Sequence, residues 1–178
     1  PAFLLAMLTQ ETNIGANVGT CYMTNASDAS GVNIKTNRAV SNVMKLSRDV
    51  QPFLAITSSL GYDYRTTAVS CPQSVGYGGG MGPAQFIAST WMLFVDRIAA
   101  ALGISGPPNP WQPLDSFMAA GLYMADLGAN SSSYSAQKNA ACRYYGGGTR
   151  CTSITTPYGN SVMALADKIQ REQIDPLQ

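Results

Sequence analysis

None of the 178 residues is histidine, and that absence removes whole classes of chemistry. Without imidazole there is no Ser-His-Asp or Cys-His pair, no HExxH zinc site and no histidine proton shuttle at neutral pH. Charge is scarce as well: 12% of the residues carry one, about half the usual share in a soluble domain. Eleven basic and ten acidic side chains leave a net charge of +1 with no run of one sign, so neither nucleic acid nor an anionic membrane surface is the expected partner. No apolar run is long enough to span a bilayer. The chain opens on Pro1 inside an apparent helix with no signal peptide, which reads as a piece excised from a longer precursor.

What is present fits a neutral, hydroxyl-rich ligand. Asn, Ser, Thr, Tyr and Gly are plentiful, a surface that binds by hydrogen bonds and ring stacking. A hydrophobic content of 46% over 178 residues suits one ordinary domain, residues 1–178, which buries roughly 70% of its unfolded surface and is expected to be a monomer. The four cysteines, Cys21, Cys71, Cys142 and Cys151, have no CxxC spacing and allow three disulfide pairings. Cys142 and Cys151 flank a glycine-rich turn that needs pinning, which favours the local pairing Cys142–Cys151 with Cys21–Cys71 over four buried free thiols. On the chain-entropy model the short loop contributes roughly 2.5 to 3 kcal/mol and the long one about 4. Two disulfides imply an exported protein: periplasmic, cell-wall associated or extracellular.

Apolar periodicity predicts a mainly α fold with long irregular loops. Ala2 to Gln10 is apolar on nearly every face and should be a core helix with Glu11 at its end. Asn13 to Asn37 reads as a long irregular connection, and no convincing strand alternation is found. Helices are predicted from about Ser47 or Asp49 to Leu60, stopped by Gly61, and from Pro83 to Leu102, capped by Gly103. The latter is the best-marked helix. Tyr62 to Gly82 reads as loop and the GPPNP stretch at Gly106 to Pro110 as a break. Further helices should cover Pro113 to Leu127, about Ser135 to Tyr145 and about Tyr158 to Arg171.

With histidine gone, mainly carboxylate chemistry remains, and Glu11 is the sharpest of the ten acids; a solvent-exposed helix cap is its bland alternative. The run Gly76 to Gly82 holds five glycines in seven residues. It lacks the GK[ST] ending of a phosphate loop, so it either admits a bulky ligand close to the backbone or serves a tight turn. Gln85, one turn into the predicted helix, presents an amide to a carboxylate or a sugar hydroxyl, or is a plain surface glutamine. Tyr77, Trp111, Tyr123, Tyr144, Tyr145 and Tyr158 suit a saccharide groove, while Trp91 falls on the apolar stripe and reads as core.

Four blocks occur in a telling order: Gln10-Glu11-Thr12; Gly80-Met81-Gly82-Pro83-Ala84-Gln85-Phe86-Ile87-Ala88-Ser89-Thr90-Trp91; Asn109-Pro110-Trp111-Gln112-Pro113-Leu114-Asp115; and Arg143-Tyr144-Tyr145-Gly146. Together they resemble the lytic murein transglycosylases of the lysozyme-like superfamily, nearest the membrane-bound type B branch. The resemblance implies a goose-type-lysozyme-like helical domain that cleaves the β-1,4 bond between N-acetylmuramic acid and N-acetylglucosamine in peptidoglycan strands and leaves a 1,6-anhydro ring. Glu11 would act first as general acid and then as base. Met81, Gly82 and Gln85 would border the cleavage site, Phe86 would pack beneath it, and Tyr123 and Tyr144 would contact the sugar or orient Glu11. No cofactor is implied. Asp96 to Trp111 lacks the clustered carboxylates of the calcium loop carried by some relatives, so no metal is expected. Two positions depart from the family: Tyr145 stands where asparagine is common, and Gly76 where the type B branch has a serine near the glutamate. A hydrolytic muramidase using Asp63 or Asp28 as base, and a non-catalytic cell-wall glycan-binding module, are the alternatives.

Overall fold

In the computed structural model, which describes residues 1–74 and 76–177, helix makes up 52% of the chain and the sheet is one small ribbon. This is the mainly α class that the periodicity predicts. The chain divides into two compact units, Pro1–Ile14 with Ala120–Gln178, and Gly15–Ala119.

The first unit is discontinuous in sequence. Helix α1 (Ala2–Thr12) buries Phe3, Ala6, Met7 and Leu8. Phe3, Ala6 and Met7 share a cluster with Met124, Ala140, Ala141, Val162, Met163 and Ile169. A helix with apolar residues all round can only be stable inside such a core. It ends where Asn13 and Ile14 both turn left-handed, at φ 54° each. Helix α5 (Pro113–Met124) begins in the second unit and ends in the first, running on into a wider turn at Ala125–Ala129 that Gly128 breaks at φ 98°. Helices α6 (Tyr134–Gly146) and α7 (Thr156–Ile169) pack together. They approach closely because α7 carries Gly159, where a Cβ would stand 2.7 Å from Cys142 Sγ.

The loop between α6 and α7 is pinned twice. The Cys142–Cys151 disulfide closes it, and Thr155 Oγ1 accepts from the Thr152 amide at 2.9 Å while the Thr155 amide donates to Thr152 Oγ1 at 3.3 Å. The reciprocal pair satisfies amides that precede the first turn of α7.

In the second unit the structure corrects the irregular reading of Asn13 to Asn37. Strands β1 (Cys21–Asn25), β2 (Ser30–Asn33) and β3 (Ala39–Val40) form an antiparallel sheet in that order, with Tyr22 opposite Val32 and Val32 opposite Ala39. Their two to five residues are too short and polar to show a period of two. Tertiary anchors hold them instead: Cys21 is bonded to Cys71, and its amide and carbonyl pair with Val69. Both disulfides match the pairing favoured from sequence.

Helix α2 (Leu46–Ser59) lies close to its predicted bounds. The helix predicted from Pro83 to Leu102 is instead broken. Pro83 sits in a turn closed by Met81 N–H donating to Phe86 O at 2.9 Å, and helix begins only at α3 (Ala88–Trp91), then again at α4 (Val95–Leu102), capped by left-handed Gly103 as expected. Between α3 and α4 the bonding tightens to i→i+3, with Leu93 N–H to Thr90 O and Phe94 N–H to Trp91 O. That tightening brings residues three apart onto one side. Trp91 and Phe94 thereby both lie edge-on to the Phe86 ring, at 5.6 and 6.1 Å, a cluster that an unbroken 3.6-residue helix would splay.

Candidate functional site

Glu11 is in the last turn of α1, half-buried on the buried helix that the sequence predicts. Burial raises its carboxyl pKa above the usual glutamate value, and one hydrogen bond opposes that rise: Tyr158 Oη donates to Glu11 Oε1. Tyr158 comes from α7, 147 residues away in sequence, and its hydroxyl also lies 3.8 Å from Met7 Sδ, one helical turn before Glu11. The phenol pKa is pushed far up, first by burial and then by the negative charge of Glu11. Tyr158 is therefore a fixed donor, and Glu11 a carboxyl that holds its proton to higher pH than a solvated one.

Three other tyrosines of this unit add two ring pairs, one on Tyr158 itself and one whose Tyr144 feels the Glu11 charge. Tyr145 stacks on Tyr158 with ring centres 4.6 Å apart and planes 14° from parallel. Tyr144 meets Tyr123 at 5.4 Å and 46°. Burial pushes the Tyr144 phenol up as well, with the charge of Glu11 adding to it. Arg143, preceding them, donates from Nη1 to Leu127 O at 2.9 Å and so ties α6 to the turn after α5. Glu11, Tyr123 and Tyr144 thus belong to one unit. The Glu11 partner at hydrogen-bond distance is Tyr158, a residue that sequence reasoning assigns only to a groove lining; no spacing rule links two positions so far apart in the chain.

Met81, Gly82, Gln85 and Phe86 belong to the second unit, and here the structure changes the reading of the motif. Met81 is fully buried and Phe86 nearly so, positions for packing rather than for touching a ligand. Gly82 has φ 59°, and a Cβ there would fall 1.9 Å from Pro110 O. The crossing Pro110–Trp111 backbone therefore demands the glycine. Gln85 is not one turn into a helix: it occupies the turn itself, at φ 55°, and its Nε2 donates to Gly82 O at 2.9 Å.

The glycine run follows the same logic. A Cβ on Gly78 would lie 2.2 Å from Ser70 O, and Gly78 to Gly80 are buried. These glycines let chain pass against chain and do not line an open groove. Beside this turn lies a cavity of about 390 Å³ bordered by Asn17, Thr20, Lys35, Ser70 and Gln85.

Trp111 is likewise structural, with Nε1 donating to Ala68 O at 2.9 Å and its ring edge-on to Phe53 and Tyr62; Trp91 is core, as expected. Asp28 and Asp63 are exposed turn groups with lowered pKa values: the Ser30 side chain and then its amide, at 2.8 Å, lower that of Asp28, and the Arg65 amide, at 2.9 Å, and then its side chain lower that of Asp63. A carboxylate held that way is a poor general base near neutrality. Asp49, which the sequence marks only as a possible helix start, is buried and joins α2 to α3 by accepting from Arg48 Nη2 at 2.7 Å and Ser89 Oγ at 2.7 Å.

Among the described residues no helix is long and apolar enough to cross a membrane, and the two disulfides fit an exported protein. Compared with protein-family models, curated proteins and solved structures, the chain matches none.

Proposed function

We propose that this chain is a peptidoglycan lytic transglycosylase of lysozyme-like fold, cutting the β-1,4 bond between N-acetylmuramic acid and N-acetylglucosamine and leaving a 1,6-anhydromuramyl end. One observation carries the reading: a glutamate that burial keeps protonated to higher pH, at the end of an apolar helix, with one oxygen engaged by a tyrosine that stays protonated.

The chemistry follows from that pair. The Tyr158 hydroxyl occupies Oε1, so Oε2 carries the transferable proton. As the glycosidic C1–O4 bond breaks, the proton passes to the departing oxygen and Glu11 becomes a carboxylate. Tyr158 stabilises that charge with the same hydrogen bond. The carboxylate then takes the proton of the muramyl 6-hydroxyl as O6 bonds to C1, which restores the acid and closes the anhydro ring. The nucleophile is part of the sugar, so no second carboxylate is needed, in contrast to two-acid glycosidases. On this reading Tyr123 and Tyr144 contact the sugar, while Met81, Gly82 and Phe86 keep the Gln85 turn of the second unit in shape.

The test is digestion of purified sacculi by the native protein and by Glu11→Gln, with mass analysis of the released muropeptides. Anhydro ends, one water lighter than reducing ends, are expected from the native protein and none from the variant. Reducing ends would instead identify a hydrolytic muramidase. Glycan binding without release by either protein would identify a binding module.

A further inference from the structure

Tyr145 is the one site tyrosine that departs from the asparagine common in the family it resembles, and its geometry gives it a surface no asparagine has. It lies at the end of α6, its ring parallel to Tyr158 at 4.6 Å. Although one face is covered by that stack, 56% of the residue remains exposed. Much of the residue therefore stays open to solvent beside the stack. Tyr158, beneath it, is the residue whose hydroxyl holds Glu11. Two rings and a carboxyl form a continuous series from solvent to the acid.

An exposed, flat, uncharged aromatic face costs solvation and is held flat here by a partner ring, so it is pre-organised to receive another flat apolar surface. Charged ligands gain little from it. A pyranose, whose axial C–H bonds make one face apolar while its hydroxyls stay at the rim, gains most. Gly146, Gly147 and Gly148 follow Tyr145 directly; Thr155 fills the space beside Gly146, but a Cβ on Gly147 would meet nothing within 4 Å and one on Gly148 only Arg150 O at 3.8 Å, so the chain beyond the ring is open.

We infer that Tyr145 is a stacking platform for an N-acetylhexosamine ring and thereby a specificity-determining residue for glycan strands. The inference rests on the transglycosylase reading, and its test separates the two. In a Glu11→Gln background, which prevents turnover, binding of a peptide-free β-1,4-linked N-acetylglucosamine oligomer is measured by calorimetry. Tyr145→Ala and Tyr145→Asn should each bind about two- to twelve-fold more weakly, the range one ring stack supplies, whereas Tyr145→Phe and Tyr145→Trp should bind as the background does or more tightly. In parallel, the Glu11 carboxyl is followed by carbon NMR in the same four substitutions made in the native chain.

Equal binding by all four variants overturns the platform while leaving the catalytic reading intact. Unchanged binding together with a displaced Glu11 titration in Tyr145→Ala also overturns it, because Tyr145 then only props Tyr158. Failure of the background protein itself to bind the oligomer, with no anhydro ends released from sacculi by the native chain, overturns both.

Discussion

Replacing Tyr158 by phenylalanine removes one oxygen and keeps the ring that stacks on Tyr145. What is lost is a hydrogen bond donated to Glu11. When Glu11 is ionised the bond is charge-assisted, worth about 1.5 to 3 kcal/mol; when Glu11 is protonated it is an ordinary neutral bond worth about 0.5 to 1.5. The destabilisation by Tyr158→Phe should therefore depend on pH, larger above the folded-state pKa of Glu11 and smaller below it. The sign for the carboxyl itself is the same: the Tyr158 bond opposes the rise caused by burial, so its loss lets the pKa climb further. Urea denaturation at a series of pH values gives the first quantity. The second is accessible because the chain has only two glutamates, Glu11 and Glu172. Glutamate labelled at the side-chain carboxyl yields two carbon resonances, one from Glu11 and one from Glu172 on the exposed segment after α7, and Glu11→Gln assigns them. A pH-independent loss of stability, or a Glu11 resonance that titrates at the same or lower pH in the variant, would refute the reasoning.

Glu11→Gln should stabilise the fold at neutral pH: burial lifts the folded-state pKa above 4.5, so the native protein loses stability as pH rises through that window and the glutamine variant does not. The advantage should fade below about pH 4.5, where unfolded glutamate also takes up its proton, and melting temperatures at pH 4 and pH 8 check both ends. Gly82→Ala forces a Cβ to within 1.9 Å of Pro110 O at φ 59° and should cost about 3 kcal/mol or more. Gly61→Ala, at φ 70° with nothing nearby, should cost only about 1 to 2, so equal losses in chemical denaturation would refute the clash. Replacing Cys142 and Cys151 by serine should cost about 2.5 to 3 kcal/mol on the loop-entropy account, measured against the native disulfide form; a neutral result would show that the Thr152–Thr155 bonds hold the loop alone.

The helices were legible in the chain where one apolar face repeats over several turns, as in α2, α5 and α7. The prediction failed at Pro83 to Leu102 because the apolar residues there, Phe86, Trp91 and Phe94, look helical in spacing while they gather by a tight i→i+3 turn. The sheet was invisible because its strands are held by Cys71 and Val69 rather than by alternation. Of the candidate site, Glu11 could be named from composition and position: with histidine absent and acids few, a carboxylate ending a buried helix stands out. Its partner could not, since Tyr158 reaches it only through the packing of α1 on α7. The glycine motif was legible as a motif but not as a physical object, because a Cβ clash with Ser70 or Pro110 leaves no local trace in the sequence.

The first unit is assembled from the two ends of the described chain, with Gly15–Ala119 intervening. During synthesis α1 leaves the ribosome early, apolar on every side, and must wait for α7 before its core exists. Until then Glu11 is a solvated carboxylate with ordinary acidity, and Tyr158 has not yet been translated. A carboxyl built this way acquires its raised pKa only once the whole chain has been made.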